Sequence, residues 1–281
     1  MNPSGKKSIV WLASYPKSGN TWLRIFLANY LTNPDEPLPI NKAQLYALSD
    51  ADAEYYKTVS GGMIDVYDNP QALKYRERVL QLFMSSGADV NLVKTHNRRA
   101  VGLGVPLIPP KYTRSAIYVM RNPLDVVLSY GRHFGQTQDE ATESLCRSDN
   151  GVNPDEAHVA QFLGSWQDHV ESWTSFAPYP TLVLKYEDML SDPEEAFGKV
   201  IRHFGMDPEP ERLRKAIRHA SFKELKKQET ETGFAERSPR STAFFAKGES
   251  GQWHNDLAPE LVQKIRQTNK RAMKRFGYWN D

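Results

Sequence analysis

A single cysteine, Cys146, stands among 281 residues. That excludes an internal disulfide framework and a cysteine-rich metal site, and a reducing compartment fits best. Charge of one sign is equally scarce: 36 Lys and Arg against 34 Asp and Glu leave a formal net charge of +2, with no long basic run. Nucleic acid and polybasic membrane contacts are therefore not expected as partners. Long apolar runs are missing too. The polar start, Met1 to Ser8, leads into an apolar stretch broken at Tyr15-Pro16-Lys17, too short to span a bilayer and unlike a signal peptide. The expected location is the cytoplasm. With 40% hydrophobic residues and no internal repeat, the chain is expected to form a single domain over 1–281.

What is present is concentrated between Ile9 and Leu31. Ile9 to Ala13 is short, apolar and β-prone, as a strand buried on both faces requires. Ser14 to Asn20 gathers breakers and small polar residues, so the strand ends in a tight loop. From Thr21 the apolar residues take helical spacing, through Trp22, Leu23, Ile25, Phe26, Ala28 and Leu31. A strand, a loop holding Lys17 and Gly19, and a helix N-terminus make a cradle for an anion. The Walker A pattern places its lysine after the second glycine; here Lys17 precedes Gly19. The plain alternative is a strand–turn–helix corner with a solvated lysine.

The same grammar recurs along the chain. Helical spacing over Pro70–Ser85 leads into a strand, Asn91–Thr95; a Pro- and Gly-rich link over 102–110 leads into another, Ser115–Met120. Arg121-Asn122-Pro123 then opens an apolar helix. Residues 41–68 read as short helices in a cap, 135–153 as a polar mobile loop, and a helix is predicted from Pro154 through Trp173. Its two tryptophans are read as core. Thr181–Lys185 is a short strand, Asp192-Pro193 starts a helix to Phe204, and Glu209–Ala220 forms another. Residues 223–250 read as a long loop and Pro259–Phe276 as a closing helix. Alternating strands and helices imply an α/β fold with a central parallel sheet, its ligands at the strand C-terminal ends. Those ends carry Lys17, then Lys94-Thr95-His96, then Arg121, then Lys185-Tyr186-Glu187. Two lysines, an arginine and a histidine could surround one polyanion, with His96 as a general base.

At these residues the chain resembles the cytosolic sulfotransferases, which use 3′-phosphoadenosine-5′-phosphosulfate (PAPS) as donor and release the bisphosphate PAP. Four blocks match in family order. Tyr15 to Trp22 resembles the 5′-phosphosulfate loop, Lys94 to His96 the catalytic-histidine strand end, Arg121 to Tyr130 the 3′-phosphate segment, and Phe245 to Trp253 the C-terminal glycine motif. Tyr186-Glu187-Asp188 and Ser221-Phe222-Lys223 match smaller signatures. The resemblance implies a P-loop-like sulfotransferase fold and a set of roles. Lys17 would hold the bridging oxygen, and Ser18, Gly19, Asn20 and Thr21 would bind the 5′-phosphate. Arg121 and Ser129, about two helical turns apart, would grip the 3′-phosphate, with Lys247 and Gly248 in the glycine motif. Trp22, Phe222 and Tyr186 would flank the adenine. His96 would deprotonate the hydroxyl of a small organic acceptor, a phenol or alcohol, with Lys94 on the sulfuryl oxygens. No metal is implied.

The match departs at Ala246, where the family usually has arginine; Arg237 or Arg240 is a candidate replacement. Ala220 stands where relatives often place a threonine. His254 to Glu260 lacks the family's dimer signature, leaving the oligomeric state open. Competing readings are a P-loop kinase or nucleotide hydrolase, and a nucleotide-binding protein without catalysis. Acceptor walls are expected from 34–63, 102–110, 135–153 and 223–245, with Tyr46, Tyr55, Tyr56, Phe134, Phe234 and Phe244 as aromatic lining.

Overall fold

The computed structural model describes residues 7–280; the polar start, Met1 to Lys6, and Asp281 lie outside the described residues. The first half runs β1 (Ser8–Ser14), α1 (Asn20–Thr32), α2 (Ile40–Ala43), β2 (Leu48–Ser49), α3 (Ala53–Ser60), α4 (Asn69–Met84) and β3 (Val90–Thr95). A hairpin, β4 (Val101–Gly102) and β5 (Val105–Pro106), precedes β6 (Thr113–Met120), α5 (Pro123–Phe134) and α6 (Gln138–Cys146). Next come β7 (Gly151–Val152), β8 (Gln161–Phe162), α7 (Trp166–Thr174), β9 (Thr181–Lys185), α8 (Tyr186–Ser191) and α9 (Pro193–His203). The last elements are α10 (Pro210–His219), α11 (Phe222–Thr232), α12 (Trp253–Asp256), α13 (Pro259–Thr268) and α14 (Lys270–Phe276).

Five strands form one parallel sheet in the order β2-β3-β1-β6-β9. The period-two alternation of β1 divides its side chains between two cores. Ile9, Trp11 and Ala13 face a layer of α4, α5, α7, α13 and α14; Leu12 faces one built by α1, α9 and α10. β6 alternates likewise, with Tyr118 on the first face and Ile117 and Val119 on the second. Trp166 and Trp173 are buried core, as expected, with Trp173 stacked on Tyr118 at 6.1 Å. Burying such a side chain contributes about 1.5–3 kcal/mol.

The sheet order positions the site. β1 has β3 on one side and β6 on the other, so consecutive connections leave it in opposite directions; that switch point opens a crevice at the strand C-termini. The ends of β3, β1 and β6, bearing Lys94, the Lys17 loop and Arg121, are therefore adjacent.

Four expectations needed correction. Within 135–153 the structure has a helix, α6, started by a capping box in which Thr137 and Glu140 exchange side-chain and backbone hydrogen bonds. The helix predicted from Pro154 begins at Trp166 instead, after Gly164 at φ 69° and a second capping box, Ser165 with Asp168; Phe162 belongs to β8. Within 223–250, α11 runs to Thr232 and only the residues beyond it are irregular. The closing helix is two, α13 and α14, meeting at Asn269, whose buried side chain accepts the Gln167 N–H. The 41–68 cap also contributes an edge strand, β2.

Candidate active site

The loop after β1 is held open from within. Asn20 donates its side-chain amide to the Leu12 carbonyl at 2.8 Å and accepts from Arg24 Nε at 3.0 Å. That leaves the Asn20 backbone, not its side chain, for a ligand. Lys17 and Gly19 both take left-handed φ, 68° and 107°, which turns the loop's N–H groups inward. A Cβ on Gly19 would stand 2.9 Å from the Tyr186 ring, so glycine is required twice over, by conformation and by space.

Lys17 is largely withdrawn from water, its ammonium 3.6 Å from the centroid of the Phe244 ring. Burial lowers its pKa to about 7; Glu236 opposes that shift, whereas Arg121, Lys94 and Arg132 reinforce it. Lys94 is also lowered, by burial first. Its ammonium lies 3.4 Å from Glu236.

His96 sits just past β3 between two residues fixed by one carboxylate. Asp50 Oδ2 accepts Thr95 Oγ1 at 2.8 Å and Asn97 Nδ2 at 3.1 Å, and forms a buried ion pair with Arg76 at 2.6 Å. The ring Nδ1 lies 2.8 Å from the Ser14 carbonyl and 3.2 Å from Ser14 Oγ. A carbonyl only accepts, so Nδ1 carries the proton and Nε2 keeps its lone pair. Burial, then Lys94, pushes the pKa well below the ordinary 6.5, so the imidazole is neutral at pH 7. Behind it, the fully buried His169 places Nε2 3.0 Å from the His96 carbonyl and Nδ1 2.9 Å from the Tyr118 hydroxyl. The same logic makes His169 a donor to His96 and an acceptor from Tyr118.

On the β6 side, buried Arg121 donates from Nη2 to the Glu249 carbonyl at 2.8 Å and lies 4.4 Å from the centroid of Tyr186. Trp22 packs edge-on to Tyr186 at 5.7 Å. The ring of Phe222 fills the space a Cβ on Gly248 would need, 2.3 Å away. Lys247 is exposed and pairs with Asp256 at 2.7 Å. Of the fourth strand end, Tyr186 alone joins the site. Lys185 donates to the Phe276 carbonyl, and Glu187 accepts from the Asn122 N–H and the Tyr278 hydroxyl.

These groups line one cavity of about 1190 Å³. Its walls include Lys17, Gly19, Asn20, Thr21, Trp22, Lys94, His96, Arg121, Ser129, Tyr186, Phe222, Lys247 and Gly248; Ser18 lies buried in the loop beneath. The volume exceeds the roughly 300–1,000 Å³ of a single-ligand pocket, so two ligands fit together. Three donors here, Ser18 Oγ, Trp22 Nε1 and Arg121 Nε, are buried without a hydrogen-bond partner among the described residues. Each such orphan costs about 1–3 kcal/mol. Orphaned donors beside lysines and an arginine fit a polyanionic nucleotide.

Sequence reasoning missed several cavity residues. Arg132 is exposed on the cavity side of α5, one turn beyond Ser129, and burial of its inner portion, then Arg121, lowers its pKa. Glu236 and Arg24 form an ion pair at 2.7 Å that closes the cavity floor. No periodicity marks Glu236; its signal is a lone carboxylate in a basic, aromatic segment. Of the expected acceptor walls, Phe134 and Phe244 line the cavity with parts of 135–153. Tyr55 instead packs on Phe83 at 4.9 Å, and Tyr56 bonds the Asp50 carbonyl from the core. Tyr46 is exposed.

A parallel sheet with this lysine loop at its switch point is a P-loop-like architecture that presents an anion site at the strand ends. More narrowly, residues 7–277 match the sulfotransferase domain family, and the chain belongs to it. It is a PAPS-dependent sulfotransferase. Sulfotransferase 1 family member D1 of Mus musculus is 26% identical over 282 residues, covering 94% of this chain and 83% of the relative. Two solved structures share the fold. Retinol dehydratase in complex with androsterone and inactive cofactor PAP has a TM-score of 0.65 at 18% identity, covering 96% of this chain and 81% of that one. Mouse sulfotransferase SULT7A1 complexed with PAP has 0.61 at 20%, covering 96% and 84%.

Proposed function

We propose that residues 1–281 act as one cytoplasmic sulfotransferase domain that sulfates a hydroxyl of a small organic acceptor, a phenol or alcohol, with His96 as general base. The observation that carries this reading is the convergence of Lys17, Lys94, Arg121 and His96 on one cavity with orphaned donors in its wall. PAPS supplies the sulfuryl group. The chain's residues bind, orient and move one proton. The N–H groups of 18–21, at the start of α1, receive the 5′ anion. Lys17 neutralises charge at the bridging oxygen and Lys94 at the sulfuryl oxygens; an anion beside either lysine favours its charged form. Arg121 and Ser129 hold the 3′ anion, and Arg132 supplies the guanidinium that Ala246 does not. Trp22, Phe222 and Tyr186 enclose the base. His96 Nε2, with its lone pair free, takes the acceptor's proton. Tyr130, Phe134 and Phe244 in the wall of the same cavity limit water there. The likeness to a fold relative solved with androsterone supports a small acceptor.

Thermal shift tests the donor site directly. Adenosine 3′,5′-bisphosphate at a hundredfold excess over its dissociation constant is expected to add about 2.7 kcal/mol of stability. Stabilisation by ATP–Mg and not by the bisphosphate would overturn the reading in favour of a P-loop kinase. Transfer from labelled PAPS across phenols, steroids, sugars and peptides then identifies the acceptor; transfer to none of them would leave a nucleotide-binding protein.

A further inference from the structure

After α11 the chain runs as a polar strap, residues 233–252, back over the loop that extends from β1. One of its side chains reaches the floor of the cavity. Both carboxylate oxygens of Glu236 lie 2.7–2.8 Å from Nη2 of Arg24, a guanidinium on α1 only 2% exposed. Oε2 also accepts the Thr21 hydroxyl at 2.9 Å, and Oε1 stands 3.4 Å from the Lys94 ammonium. One carboxylate thus ties the strap to the helix of the anion loop and to the end of β3. Separating Glu236 from Arg24 would leave a buried cation without this carboxylate. The pair therefore stays when a ligand enters. Thr21 has a single hydroxyl proton and Glu236 holds it, so Thr21 offers an incoming anion its backbone N–H.

We propose that Glu236 is a positioning residue of the transfer reaction: it docks the strap on the donor site and places there the carboxylate that favours the ammonium forms of Lys17 and Lys94. This rests on the reading of those lysines as the charge-neutralising groups. The surroundings leave that task chiefly to one anion. Around Lys17, Arg121, Lys94 and Arg132 all favour loss of its proton, and Glu236 acts against them. Around Lys94, Arg24 acts in the same sense, with Glu236 and the more distant Asp50 opposing it. Glu236 is itself held far below the carboxylate range: burial would raise it, but Lys94 and Arg24 prevail. It is therefore charged around neutral pH. The strap also brings Phe244 over Lys17, so docking and charge are set by the same segment.

Glu236→Gln keeps the shape and the acceptor for Thr21 while removing the charge. The pH profile of kcat/KM for PAPS reports groups of the free enzyme, so its alkaline limb in the parent falls where Lys17 loses its proton. In Glu236→Gln that limb is expected at lower pH, by up to about one unit, because the carboxylate that shares the cavity with Lys17 and opposes the surrounding cations is gone. Glu236→Asp is expected to restore part of the shift. A contact that merely holds the strap would lower the plateau and leave the limb in place, and that outcome overturns the proposal. If the single variant fails to fold, Glu236→Gln with Arg24→Gln removes the buried cation together with its carboxylate. Glu236 is the strongest of the charges acting on Lys17 and Arg24 is not among the stronger ones, so a limb shift in the same direction is expected. Thermal shift with adenosine 3′,5′-bisphosphate accompanies each variant. A parent that the bisphosphate does not stabilise strikes down the donor-site reading; a stabilised parent with an unmoved limb in the variants strikes down the role of Glu236 alone.

Discussion

The Nδ1 of His96 points at the backbone carbonyl of Ser14, 2.8 Å away, so the strand that leads into the anion loop also sets the tautomer of this histidine. His96→Ala is expected to lower kcat by about 10²–10⁴, the ordinary value of a positioned base. Bisphosphate stabilisation should persist, since His96 is assigned to the acceptor's proton and not to the nucleotide. Steady-state transfer and thermal shift on one preparation check both; undiminished transfer removes His96 from the mechanism.

Arg121 and Arg132 line one cavity, and under the proposed function the second answers the missing arginine at 246. Arg132→Gln is expected to weaken adenosine 3′,5′-bisphosphate about tenfold and adenosine 5′-phosphate hardly at all, as loss of a charge-assisted hydrogen bond of about 1.5 kcal/mol requires. Calorimetry with the two nucleotides reads the ratio. Arg240 donates to the Phe134 carbonyl and Arg237 to the Thr242 carbonyl, so Arg240→Ala and Arg237→Ala should leave that ratio unchanged.

Gly248 has φ 67° and the Phe222 ring directly over it. In Gly248→Ala the ring must swing out and the left-handed backbone is strained, at about 1–3 kcal/mol each. The expected result is a lower melting temperature and a weaker bisphosphate shift together. A melting temperature equal to the parent's would contradict the packing.

His169 is buried and neutral, with its pKa lowered by burial to about 3; unfolded, it returns to the ordinary 6.5. Between those values the unfolded chain binds one more proton, so stability falls as pH drops, by about 1.4 kcal/mol per unit. His133, also lowered to about 3 by burial, then by Lys17 and Lys94, acts in the same direction. Urea unfolding at pH 7, 6 and 5 should show the loss, and His169→Gln should flatten it by about that slope.

The strand–loop–helix units at Ile9 and Ser115 were legible because a buried parallel strand is a short apolar run and its helix changes the period at once. The site residues on strand ends were legible with them, since a parallel sheet brings those ends together. α6 and α11 were not legible by periodicity. They bury few apolar side chains, and their starts are written in capping residues: Thr137 with Glu140, and Ser221 accepting from the Glu224 N–H. The start of α7 was misplaced for the same reason: Val159 is buried in a segment that bonds the Ala51 carbonyl, Phe162 lies in β8, and Ser165 is the true boundary. Glu236 was out of reach, because its partners Thr21, Arg24 and Lys94 are distant in sequence and no local pattern requires them.

The cavity floor joins segments more than two hundred residues apart: Thr21 and Arg24 on one side, Glu236 on the other. During synthesis the anion loop and its helix emerge first, and every strand of the sheet can pair before residue 236 exists. The floor is then still open and the lysines lack their carboxylate. A nascent or prematurely ended chain can own the complete sheet and yet have no closed donor site, so catalytic competence arrives only once the strap has left the ribosome.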